Sequence, residues 1–116
     1  MRAIFLGAAV ATAAMAVPGV AGERTGYTAI ASGDWSQAER TLIAERRIFP
    51  DRPELMLNLA AVYQRTDRTG AAASLYREVL SQPPVALDMP NGTTRSSHAI
   101  ANAALARFAP TTLANR

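Results

Sequence analysis

Apolar residues recur at helical spacing along most of this chain. Ala29, Ile30, Trp35, Ala38, Leu42 and Ile43 keep a three-to-four-residue rhythm interrupted at Gly33-Asp34. That pattern predicts a short helix near 24–32 and a longer one near 35–48. Phe49-Pro50 ends the second. Asp51 is placed to cap a third helix that carries Pro53 in its first turn, where a missing N–H is harmless, and Glu54 near the positive end of the dipole. Leu55, Met56, Leu59, Ala60, Val62 and Tyr63 make this helix apolar toward its neighbours. Thr66 to Gly70 reads as a turn, and a fourth helix from about 70 to 81 stops at Pro83-Pro84.

Beyond Pro84 the rhythm changes. Val85 to Pro90, Asn91-Gly92 and Thr93 to Arg95 fit either a small hairpin around an Asn-Gly turn or a loose loop at 85–95, since Pro90 cannot donate to a ladder. Ser96 or Ser97 then caps a last helix of about 96–109, with Ile100, Ala104 and Phe108 along one stripe. That helix is expected to cover the open end of the assembly and to leave 110–116 as a flexible tail.

The start of the chain has another pattern. Met1-Arg2 gives a positive start, Ala3 to Val17 is an uncharged apolar run, and Pro18-Gly19 breaks it. Gly19 and Ala21 stand where a signal peptidase reads small residues, so residues 1–21 are expected to be a cleavable signal peptide, with Ala14-Met15-Ala16 as an alternative cleavage site. An uncleaved anchor would need about 20 apolar residues, more than this run supplies. The protein is therefore expected to be exported: to the periplasm if the source is Gram-negative, otherwise secreted.

An internal echo organises the remainder. Gly33 to Leu42 followed by Pro50 corresponds to Asp67 to Tyr76 followed by Pro84, so that Ala38 and Ala72, Leu42 and Tyr76, and Pro50 and Pro84 are each 34 residues apart. In residues 53–86, Met56, Leu59, Ala60 and Tyr63 and then Ala72, Tyr76 and Pro84 stand at the spacing W-x2-L-G-x2-Y, A-x3-F, P. By these residues the chain resembles the tetratricopeptide repeat family as a small exported bacterial member, with Met for Trp, Ala for Gly and Tyr for Phe. The resemblance implies an all-α fold of antiparallel helix pairs stacked as a short solenoid over residues 22–109. Its repeats would fall at about 22–52 and 53–86, under a C-terminal capping helix.

Composition narrows the functions. There is no cysteine, which removes disulfides, thiolate metal sites and a cysteine nucleophile. The twelve basic residues are all Arg against nine acids, a formal charge of +3 that falls to +2 without Arg2. So small and interspersed a surplus is a poor footprint for nucleic acid. His98 follows Ser96-Ser97, but sequence neighbours do not build a nucleophile–base geometry, and a lone histidine lacks companion metal ligands. No catalytic residue, metal site or cofactor is expected. Trp35 reads as core at the head of a helix or as an exposed anchor, and Arg46 and Arg47 as cations suited to a helix C-terminus.

In the repeat family the first helix of each pair lines the inner groove, and an Asn placed like Asn58 grips a ligand backbone or carboxylate. The resemblance implies that role for Asn58 alone, with Arg65 as a cationic companion, and the Lys residues of the best-known carboxylate clamp are missing; Leu57, Ala61, Gln64 and Arg65 recur with Asn58 every three or four residues and complete the expected protein-binding face. The expected function is a non-catalytic interaction module of the bacterial cell envelope that holds a protein or peptide segment. The alternatives are a structural, self-associating subunit and a small hydrolase using Ser97 and His98.

Overall fold

A computed structural model describes residues 25–114, with side chains as far as Phe108. The signal peptide expected at 1–21 lies outside the described residues. Gly26 stands just ahead of the first helix, α1 (Tyr27–Ser32), in the left-handed region at φ 71°. A Cβ there would meet Leu42 Cγ at 3.2 Å, so both backbone and space call for glycine. Gly33, at φ 79°, closes α1, and Asp34 accepts a 3.1 Å bond from the Gln37 N–H to open α2 (Trp35–Ile48). One Gly-Asp pair therefore satisfies the end of one helix and the start of the next.

The chain turns at Phe49–Arg52 and enters α3 (Pro53–Arg65). Pro53 opens this helix as the sequence predicts, but no side chain caps it. Asp51 lies in the preceding turn, with Oδ1 3.5 Å from Gln82 Nε2, so the expected Asp51 cap is not made. The next turn carries Asp67 at φ 62°, and the Arg68 N–H donates to the Tyr63 carbonyl at 2.8 Å. α4 (Thr69–Leu80) follows.

The segment after α4 is a hairpin. β1 (Ala86–Asp88) pairs antiparallel with β2 (Thr94–Ser96) in the register Ala86–Ser96, Leu87–Arg95 and Asp88–Thr94. Gly92 takes φ 88° in the connection, and Asn91 Oδ1 accepts from the Thr93 N–H and hydroxyl at 3.0 and 2.6 Å. Pro90 sits in this connection outside the ladder, so its missing N–H does not count against pairing. The last helix, α5 (Ser97–Ala114), continues beyond the expected end at 109.

The fold is thus mostly helical with one small two-stranded sheet. Successive helices pack on one another, and α5 lies against α4, α3 and β2. α3 is the centre: every residue from Pro53 to Val62 is buried. Its Leu55, Met56 and Leu57 are fully enclosed, as are Leu42, Leu87 and Ile100 from other elements, each burial contributing about 1.5–3 kcal/mol.

Candidate functional site

The five residues of the expected binding face separate in space. Leu57 and Asn58 are 0% exposed and Ala61 5%, so these three belong to the interior and form no open groove. Asn58 Nδ2 donates to the Thr25 carbonyl at 3.1 Å, tying α3 to the turn before α1. Its role is structural, because an amide in the interior must find partners there. Gln64 is half-buried and its Oε1 accepts from the Tyr76 hydroxyl at 2.9 Å. Arg65 is exposed and lies over the Trp35 ring, 5.5 Å from its centroid. Gln64 therefore turns toward α4 and Arg65 toward α2. Trp35 is half-buried against the core, with Arg65 on its ring.

Ser97 and His98 are also engaged in the fold. Ser97 is 0% exposed; its Oγ accepts from the Val85 N–H at 2.9 Å while its own N–H donates to the Val85 carbonyl at 2.8 Å. His98 Nε2 lies 2.5 Å from the Gln82 carbonyl; a carbonyl only accepts, so Nε2 carries the proton. Neither side chain is aimed at the other. Among the described residues no group of acidic or histidine side chains is arranged to hold a metal ion, and no helix is long and apolar enough to cross a membrane.

The surface feature that sequence reasoning missed lies where two proline corners meet. The α2–α3 turn and the segment after α4 enclose an open groove of about 770 Å³, lined by Ile48, Phe49, Pro50, Pro53, Pro83 and Val85, with Asp51, Arg52 and Gln82 alongside. Ile48 is 64% exposed, the large apolar side chain left in solvent among the described residues. The Arg52 guanidinium covers the Phe49 ring at 4.1 Å. The walls are braced: Arg46 Nη2 reaches Glu78 Oε2 at 3.1 Å and the Pro50 carbonyl at 3.4 Å, and His98 holds Gln82. Its three prolines have no N–H to offer, so the groove presents mainly apolar surface, with Arg52 and Gln82 as side-chain donors alongside. Pro50, Pro53 and Pro83 were the available sequence signal, since they mark the two turns that line the groove.

The chain matches no protein-family model, no curated protein and no solved structure.

Proposed function

We propose that this protein is a non-catalytic interaction module, exported to the cell envelope, that holds an extended apolar segment of another polypeptide in the groove at Ile48. The exposed Ile48 beside a braced, proline-lined groove carries this reading. A large apolar side chain held in water at the mouth of a concave surface marks a contact site, and rigid walls reduce the ordering cost of binding. The 34-residue echo supports a tetratricopeptide-like stack as the scaffold, and such stacks present extended surfaces without a reaction centre. The engagement of Ser97 and His98 in the hairpin junction argues against the hydrolase alternative.

Binding of synthetic peptides to the immobilised full chain tests this, with apolar and highly charged sequences of equal length. Apolar peptides should bind, and Ile48→Asp should weaken them about tenfold, as loss of an interface anchor does, while the melting temperature stays unchanged. Equal binding of both peptide classes, or of parent and variant, overturns the groove as the site.

The same Ile48 supports a second reading, a subunit that associates with its own copies through this end. Its sign would be a mass that rises with concentration.

A further inference from the structure

A smaller recess lies away from that groove, where the end of α3, α4, the hairpin and α5 converge. It has a volume of about 140 Å³, and its lining includes Gln64, Tyr76, Met89, Arg95, Ile100 and Arg107. Each polar member is brought there by a separate feature of the fold. Arg95 is the register partner of the fully buried Leu87; opposite residues of an antiparallel pair share a face, so Arg95 stands on the helix side of the hairpin, exposed at the rim of the recess, with Nη2 3.5 Å from the Ala99 carbonyl. Arg107 lies seven positions after Ile100 on α5 and so projects from the same side. Tyr76 is 1% exposed and gives its hydroxyl proton to Gln64 Oε1, which leaves the Gln64 amide N–H groups as donors.

The charges do not balance. No carboxylate lines the recess, and neither Arg95 nor Arg107 has an ion pair among the described residues, whereas Arg46 and Arg68 each hold a glutamate. The nearby acid Asp88 is paired across the hairpin with Thr94, one position out of phase with Arg95, and belongs to its opposite face. Two exposed guanidinium groups and an amide thus rim a small cavity whose other walls are Tyr76, Met89, Ile100 and two alanines.

We infer that this recess binds a carboxylate carried on a short apolar chain. Guanidinium groups match a carboxylate in two-point fashion, the volume admits a few carbon atoms behind it, and the Met89–Ile100 wall favours an aliphatic tail over a phosphate ester. Arg95 and Arg107, the two cations of the site, both lie outside the 34-residue echo. It is also separate from the groove at Ile48.

Nuclear magnetic resonance titration of the isotopically labelled full chain provides the test. The probes are isovalerate, N-acetyl-alanyl-valine with a free or amidated terminus, and inorganic phosphate. Saturable shifts are expected at Gln64, Arg95, Ile100 and Arg107 with isovalerate and with the free-terminus peptide, and none with the amide. Tighter binding of the peptide makes a peptide terminus the source, and equal binding makes it a small free acid. Arg107→Gln and Arg95→Gln should each weaken binding about tenfold, the usual worth of a charge-assisted bond, with helical circular dichroism unchanged. Arg107→Lys, which keeps the charge and loses the fork, should fall between. Ile48→Asp should have no effect, which separates this site from the groove. Absence of saturable shifts with both carboxylates, stronger binding of phosphate, or undiminished binding in the Gln variants would overturn the inference.

Discussion

Asn58 shows how one side chain can change meaning between sequence and structure. At helical spacing from Ala61 and Arg65 it reads as a surface residue, yet its amide bridges α3 to the Thr25 carbonyl in the interior. Asn58→Ala removes a buried hydrogen bond and leaves a void, so denaturant unfolding should show a loss of about 1–3 kcal/mol; a loss below about 0.5 kcal/mol, the range of exposed sites, would contradict the bridge. Tyr76 gives the pH counterpart. Burial pushes its phenol up to about 12, with Arg107 pulling slightly the other way. The folded state therefore favours the protonated phenol. Its stabilising effect is whole below the unfolded value of about 10 and is lost as pH rises from there to about 12, a change of about 3 kcal/mol. Melting temperatures between pH 9 and 12 should fall in the parent and fall less steeply in Tyr76→Phe. At the acid end, the Arg68 hydrogen bond lowers the Glu39 pKa, but Arg68 is exposed and Glu39 only half-buried, so their 2.6 Å contact is a surface pair of the kind that contributes little.

At the scale of elements, legibility followed local punctuation. α2 begins and ends where the spacing places it, because Gly33-Asp34 and Phe49-Pro50 determine both ends through backbone geometry. The binding face on α3 failed for a physical reason: a helix at the centre of a small protein is enclosed on nearly every side, and the stripe of Met56, Leu59, Ala60 and Tyr63 accounts for only part of its burial. Leu55, Leu57 and Val62 fall off that stripe and already announce a helix surrounded by neighbours. The choice between hairpin and loop could not be made from Asn91-Gly92 alone, since it rests on Leu87 being enclosed and on the Val85–Ser97 pair of bonds, both of which are long-range. Ser97→Ala should leave the helices intact while speeding amide exchange of Val85, whose N–H donates to the lost hydroxyl; unchanged exchange would show that the ladder alone holds the junction.

For the whole molecule, the helical class and the order of elements were readable, while the two recesses were not. Each recess is assembled from segments distant in sequence, the groove from the 48–53 and 82–85 stretches and the smaller cavity from four separate elements, and no local pattern encodes such meetings. The self-associating reading belongs at this scale too. If copies join through the groove, sedimentation should give a mass that rises with concentration and a constant monomer mass for Ile48→Asp; a monomer at every concentration in the parent removes that reading. The reciprocal bonds between Val85 and Ser97 have a consequence of a different kind. They join the two ends of the hairpin segment at its base, and Leu87 anchors its first strand in the core, so only the exposed tip is left without a part in positioning α4 and α5. The tip at Asn91-Gly92 is thereby a place where evolution can splice in or trim sequence, because each doubling of a flexible loop costs only about 0.6 kcal/mol once its ends are held. New recognition surfaces can be trialled there while the helical body stays as it is.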